Sequence, residues 1–175
     1  NPRIQVEHTV TEQVTGVDLL HTQLKLAAGH SLADLGLLQP PALNGCAVQL
    51  RINLESMNAD GSTRPAAGTL SAYQPPSGPG LRVDGYGYPG YPISPSYDSL
   101  LAKLVVHVPD GGLPALLNKA DRALSEFGIL GVATNKVLLH GLLNHPAVAT
   151  NDVHTRFIEE RIGEVLAAGR DAHRE

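Results

Sequence analysis

Cys46-Ala47-Val48-Gln49-Leu50-Arg51-Ile52-Asn53-Leu54 alternates in character along its length: Cys46, Val48, Leu50 and Ile52 share one parity, and Ala47, Gln49, Arg51 and Asn53 the other. Successive side chains of a strand point to opposite faces, so this period of two predicts a half-buried β-strand with Arg51 on its polar face. Upstream the period changes. Val14, Val17, Leu19, Leu20, Leu24, Leu26 and Ala27 recur at helical spacing between Val10 and Ala28, and Gly16 divides the stretch into two helices. Asp18 is placed to accept hydrogen bonds from the first turn of the second helix, and Gly29 to stop that helix in a left-handed conformation. The stretch from His30 to Asn44, with Pro40-Pro41 inside it, reads as a connection. Downstream, Glu55 to Gly68 is rich in turn residues, and short strands are expected over Thr69 to Tyr73, Gly80 to Val83 and Lys103 to Val108. Asp84 to Ser99, with four of the five tyrosines among Gly and Pro, reads as a tight-turning loop. Apolar stripes then predict helices over Leu113 to Phe127, Asn135 to Asn144 and Thr155 to Ala168. Strands followed by helices, rather than alternating with them, imply an α+β fold with an antiparallel sheet and C-terminal helices.

The 175 residues are 42% hydrophobic and 17% charged, enough apolar material for a packed core. Thirteen Lys and Arg against seventeen Asp and Glu leave a formal charge of −4, so no global positive field gathers nucleic acid. The single cysteine, Cys46, has no internal disulfide partner. No apolar run approaches the roughly twenty residues a bilayer requires, so no membrane partner is expected. The chain opens Asn1-Pro2-Arg3, without an initiator Met or a signal region, and this reads as a processed or cut start.

Polar chemistry is densest in Asn1-Pro2-Arg3-Ile4-Gln5-Val6-Glu7-His8. If extended, this segment puts Asn1, Arg3, Gln5 and Glu7 on one face. A guanidinium fork suits a small planar oxyanion, the Gln5 amide adds a hydrogen bond, and a carboxylate two residues on is placed to take a proton. The same pattern also describes a solvated edge strand with cross-strand charge pairs. Arg51 well inside its strand, and Asp98 in Tyr97-Asp98-Ser99, are further candidates. Each has a purely structural alternative, an exposed ion pair for the arginine and a turn cap for the aspartate. Gly85-Tyr86-Gly87-Tyr88-Pro89-Gly90 satisfies the dinucleotide pattern G-x-G-x-x-G, but Pro89, Gly90 and Pro92 interrupt the helix that pattern needs. The eight histidines are scattered, and His140 and His145 lie five apart, off the spacing that aligns metal ligands on a helix.

The opening segment, followed by Val10-Thr11-Glu12 and Val14-Thr15-Gly16-Val17-Asp18-Leu19, resembles the end of the ATP-grasp domain of biotin carboxylases. The likeness continues through Gly45-Cys46-Ala47-Val48, Arg51-Ile52-Asn53, Arg64-Pro65, Gly68, Tyr97-Asp98-Ser99-Leu100, Ala102-Lys103-Leu104 and Thr134-Asn135. It implies residues 1–35 as the end of an ATP-grasp domain, a helical remnant, followed by a biotin carboxylase C-terminal domain over 36–168 and a tail over 169–175. The implied reaction is the ATP- and bicarbonate-dependent carboxylation of biotin through carboxyphosphate, the first half-reaction of an acyl-CoA, pyruvate or related carboxylase. In that likeness Asn1 contributes to the metal–nucleotide site, while Arg3, Gln5 and the Val6 backbone bind bicarbonate. Glu7 is the base that deprotonates bicarbonate, Arg51 stabilises the enolate-like form of biotin, and Asp98 partners that arginine.

The resemblance further implies ATP, Mg2+ or Mn2+, and biotin on a carrier domain, none held tightly by this chain alone. Implied partners are the remainder of the biotin carboxylase, the biotin carboxyl carrier domain, the carboxyltransferase component and a second copy as a homodimer. The place is a bacterial cytoplasm, or a mitochondrial matrix in a eukaryote. Departures are Thr9 in place of a proline, Ala66-Ala67 in place of Ser-Pro, and Pro79 where the family's dimer carries an aromatic, although the family's dimer arginine is kept as Arg82. Two other readings are a non-catalytic assembly module and a piece of another ATP-grasp ligase such as a carbamoyl-phosphate synthase. The isolated chain is expected to show no bicarbonate-dependent ATPase activity with free biotin as acceptor above a Glu7→Ala control.

Overall fold

The structure, a computed structural model, describes residues 3–58 and 60–172. In chain order its elements are α1 (His8–Thr15), α2 (Leu19–Ala27), β1 (Cys46–Asn53), β2 (Glu55–Met57), β3 (Thr63–Pro65), β4 (Gly68–Thr69), β5 (Ala72–Gln74), β6 (Leu81–Gly85), β7 (Pro92–Ile93) and β8 (Leu100–Val108). Then follow α3 (Gly112–Glu126), β9 (Gly128–Leu130), α4 (Lys136–Leu143), α5 (Pro146–Ala149) and α6 (Phe157–Ala172). Every strand pair is antiparallel, as the order of elements predicts.

A three-stranded sheet in the order β1-β8-β6 carries the fold. Its centre, β8, buries Leu101, Ala102, Leu104, Val105, Val106 and Val108, because α3 packs on one face and α1 reaches the other. A strand covered on both faces reads as a continuous apolar run rather than an alternation. At its start β8 runs three residues longer than the sequence pattern predicts, and β1 alternates clearly only toward its end, where Leu50 and Ile52 are buried and Arg51 is exposed. Earlier in β1 helix α1 lies over the polar parity, and the fully buried Thr9 hydroxyl donates to Gln49 Oε1.

Gly16, at φ 70°, ends α1, and Asp18 caps α2 by accepting from the His21 N–H. Residues 3–7, however, form no strand. The Gln5 carbonyl accepts from both the backbone N–H and Nδ1–H of His8, the Glu7 carbonyl accepts from Val10, and Glu7 itself is helical at φ −77°, ψ −3°. The chain winds into α1 where an extended segment is expected, yet Arg3, Gln5 and Glu7 remain exposed and Ile4 and Val6 half-buried. The pairs β2–β3, β4–β7 and β5–β9 use strands of two or three residues, too short for a period to show. Gly85 and Gly87 of the G-x-G-x-x-G stretch lie hard against the Tyr73 ring, and no helix follows them.

The second layer is helical. Helix α4 packs on α6 through Gly141 and Gly169, where any Cβ would collide with the backbone carbonyls of Val165 and Val137. Helix α6 continues to Ala172, past the expected end at Ala168. Overpacking a contact of this kind typically costs about 1–3 kcal/mol. Gly141→Ala should therefore lower the unfolding free energy by about that amount, whereas Gly163→Ala, with open space around it on the same α6, should raise it by roughly 0.5–1 kcal/mol. Denaturant unfolding checks both; a Gly141→Ala protein as stable as the parent contradicts the close α4–α6 approach.

Candidate functional site

Arg51 is exposed between the buried Leu50 and Ile52 of β1, and its neighbours across the sheet form one row: Arg51 opposes Lys103 on β8, and Lys103 opposes Asp84 on β6. Lys103 Nζ reaches Asp84 Oδ2 at 3.1 Å, and Arg82 grips the same carboxylate with Nε and Nη2 at 2.8 and 2.9 Å. The Arg82 Nη1 then bonds Glu12 Oε2 of α1 at 2.7 Å, while Glu12 Oε1 accepts the Leu19 N–H that opens α2. Burial alone would raise the Asp84 carboxyl, but the hydrogen bonds from Arg82 and Lys103 hold it below the usual aspartate range. Arg82, gripped first by Asp84 and then by Glu12, is held charged more firmly than an ordinary arginine. Two cations, Arg82 and Lys103, thus share two carboxylates, and Arg51 forms no ion pair among the described residues. An unneutralised guanidinium on a rigid strand is a ready partner for a planar acceptor carrying developing negative charge.

The N-terminal candidates approach this row from α1. Val14 accepts the Asn44 N–H ahead of β1, and Thr9 bonds Gln49 further along it, so α1 runs against β1 and its first turn points toward the Arg51 end. Arg3, Gln5, Glu7, His8, Thr11 and Gln23 are among the residues lining an open cavity of about 430 Å³ between the start of α1 and α2, and Arg51 is not part of that lining. The side chain of Glu7 makes no capping bond to the helix it precedes. Asn1, the expected metal-side residue, lies outside the described residues. Among the described residues no three His, Cys, Asp or Glu side chains converge as a metal group would require.

Asp98 closes its own turn by accepting the Leu100 N–H at 2.8 Å, and it forms no ion pair with Arg51. Its loop is nevertheless fastened to the end of β1: Ser99 accepts the Leu54 N–H, and Glu55 takes bonds from both Asn53 Nδ2 and the Ser99 hydroxyl. Beside it Tyr86, Tyr91, Tyr97 and Asp98 help to line a cavity of about 360 Å³, and burial raises the Tyr86 phenol. Sequence reading brought forward Arg51 and Asp98 but not the row behind them. The parity of Arg82 and Asp84 in their strand, two residues apart on one face, was the signal available.

The chain matches the model of the biotin carboxylase C-terminal domain over residues 49–160, and the model of the carbamoyl-phosphate synthase L chain, ATP binding domain, over residues 1–35. It is 43% identical over 162 residues to the mitochondrial pyruvate carboxylase of Homo sapiens, covering 91% of this chain and 13% of that protein. To the biotin carboxylase of Nostoc sp. it is 44% identical over 161 residues, covering 91% of this chain and 34% of the relative. Among solved structures, a single-chain, multi-domain long-chain acyl-CoA carboxylase superimposes with a TM-score of 0.89 at 52% identity, over 96% of this chain and 18% of that one. The biotin carboxylase domain of a single-chain bacterial carboxylase gives 0.88 at 44% identity, over 98% and 39%. The chain therefore spans about a third or less of the curated relatives it matches.

A carboxylate whose folded pKa is depressed stabilises the fold above its unfolded value and loses that contribution as pH falls through the folded value. Stability should thus decline as pH drops below the usual aspartate range. Asp84→Asn should be less stable at neutral pH by about 1 kcal/mol and show a shallower acid slope. Denaturant unfolding between neutral and acid pH checks this; an unchanged slope in Asp84→Asn contradicts the role given to the Arg82–Asp84–Lys103 cluster.

Proposed function

Because the chain belongs to the biotin carboxylase family, we propose that it supplies the biotin-side and bicarbonate-side residues of an enzyme that carboxylates biotin at the expense of ATP. The observation that carries this reading is the exposed, unneutralised guanidinium of Arg51, fixed on a paired strand with the N-terminal turn of α1 directed toward it. In this proposal residues 1–35 close an ATP-grasp domain, 36–168 form the C-terminal domain and 169–175 a tail. The partners are the rest of the carboxylase, a biotin carrier domain, a carboxyltransferase component and a second copy in a homodimer. The setting is a bacterial cytoplasm, or a mitochondrial matrix in a eukaryote; no helix among the described residues is long and apolar enough to cross a membrane.

Bicarbonate is a planar anion, and Arg3, Gln5 and the Val6 backbone present a fork and amides suited to it. Glu7, exposed and lining the same cavity as Arg3 and Gln5, takes the bicarbonate proton so that the oxygen freed can attack the terminal phosphate of ATP, displacing ADP and forming carboxyphosphate. Asn1, outside the described residues, is assigned in this proposal to the metal and nucleotide site. Carboxyphosphate breaks down to carbon dioxide and phosphate; the phosphate takes the ureido N–H proton of bound biotin, and the ureido nitrogen then bonds the carbon of carbon dioxide. Arg51 stabilises the negative charge that gathers on the neighbouring ureido oxygen, a preorganised donor aimed where charge develops. Asp98, held at the end of β1 by the Ser99–Glu55 bonds, borders the same end of the strand and supports the arginine's surroundings without pairing to it.

The two halves of the site separate by substitution in an active biotin carboxylase carrying this chain. Arg51→Ala should cut biotin carboxylation by about 10²–10³-fold, the usual cost of losing one charge-stabilising donor, and leave bicarbonate-dependent ATP cleavage near its starting rate. Glu7→Gln should lower ATP cleavage itself by about 10²–10⁴-fold, the range of a general base. Steady-state assays of phosphate release with and without biotin check both, and an Arg51→Ala enzyme that still carboxylates biotin normally contradicts the assignment.

A further inference from the structure

We propose that Asn135 is a positioning residue whose carboxamide fixes the backbone of β1 at Arg51, and so sets where the guanidinium stands. The inference rests on the function proposed for Arg51. Strand β1 lies at the edge of its sheet and has β8 as its sole strand neighbour there. The pairing falters beside Arg51: the register shifts between Ile52 and Asn53, which opposes Leu100, so that Leu101 is skipped. The extra residue lies on β8, so the ladder that holds β1 is interrupted just past Arg51. Without further support, the segment carrying Arg51 would be held from one side only, across an irregular ladder.

On the open edge Asn135 supplies what a second strand would. Its Oδ1 accepts the Asn53 N–H at 2.9 Å, its Nδ2 donates to the Arg51 carbonyl at 3.0 Å, and its own backbone N–H donates to the Asn53 carbonyl at 3.1 Å. These bonds span 82 and 84 residues of sequence. A carboxamide offers a donor and an acceptor on one fork, matching the peptide groups of a neighbouring strand; aspartate keeps only the acceptor and alanine neither. The support is itself rigid. Asn135 is 7% exposed, its carbonyl accepts the Leu139 N–H in α4, and the adjacent Lys136 donates from Nζ to the Phe127 carbonyl at the end of α3. The α4–α6 layer therefore reaches the sheet at the residue proposed to meet biotin. Misplacing a reacting group by about 1 Å can cost on the order of 10²-fold in rate.

The test uses an active biotin carboxylase carrying this chain. Asn135→Ala should lower kcat/KM for biotin roughly 10- to 100-fold while bicarbonate-dependent ATP cleavage without biotin stays within about twofold. The Arg51→Ala, Asn135→Ala double variant should then be no worse than Arg51→Ala alone, as expected of two residues acting through one group. Equal losses in both assays, unchanged biotin turnover, or losses that multiply in the double variant would overturn the inference. Should Asn135→Ala not fold, Asn135→Asp keeps the size and the acceptor and puts a carboxylate oxygen, which repels the Arg51 carbonyl, where the donor stood; it should lose biotin turnover selectively, and normal turnover would overturn the inference. If Arg51→Ala itself leaves biotin carboxylation intact, the proposed function fails and takes this inference with it. If Arg51→Ala abolishes biotin carboxylation and the Asn135 variants do not, the inference alone fails.

Discussion

An edge strand leaves backbone groups open on one side, and in this protein three hydrogen bonds with Asn135 engage those of Arg51 and Asn53. Unpaired backbone groups on such an edge would otherwise face solvent or a buried void, the second of which costs free energy. Holding β1 from both sides fixes the ladder that carries Arg51, and it joins the helical layer to the sheet. The tightly packed α4–α6 pair, with glycines at its contacts, gives that joint its stiffness. Architecture and site thus share a single dependency: the sheet positions the arginine only as well as the helices hold the sheet.

The charge row behind Arg51 acts in the other direction, tying the N-terminal helix to the sheet. Arg82 bridges Asp84 of its own strand to Glu12 of α1, and Glu12 in turn caps the opening of α2. Each side chain is partly exposed, so no single pair contributes much stability. Their value is geometric, because they settle where α1 lies over β1 and β8 and hence where the turn bearing Gln5 and Glu7 begins. The arginine expected at a dimer contact is occupied within its own chain, and any homodimer would have to accommodate that arrangement.

Much of this was legible in the residues. The alternation in β1, the helices split by Gly16, the Asp18 cap and the exposed face of Arg51 all follow from periods and caps that act locally. The extended N-terminal face did not hold, because His8 folds back on the Gln5 carbonyl and draws the segment into a helical turn. Exposure still alternates there, with Arg3, Gln5 and Glu7 outward and Ile4 and Val6 half-buried. The Asn135 bonds were illegible for a different reason: they join residues more than eighty positions apart, and nothing in a local pattern distinguishes an asparagine that starts a helix from one that also completes a sheet edge.

In the proposed function Arg51 meets the ureido oxygen of biotin from a strand fixed at both edges. A crystal structure of an active carboxylase carrying this chain, with bicarbonate and biotin bound, tests that directly. The ureido oxygen should lie within hydrogen-bonding distance of the Arg51 guanidinium, with bicarbonate on Arg3 and Gln5 and the Asn135 bonds to β1 intact. Biotin seated instead in the tyrosine-lined cavity beside Asp98, with Arg51 turned away from it, would contradict the account.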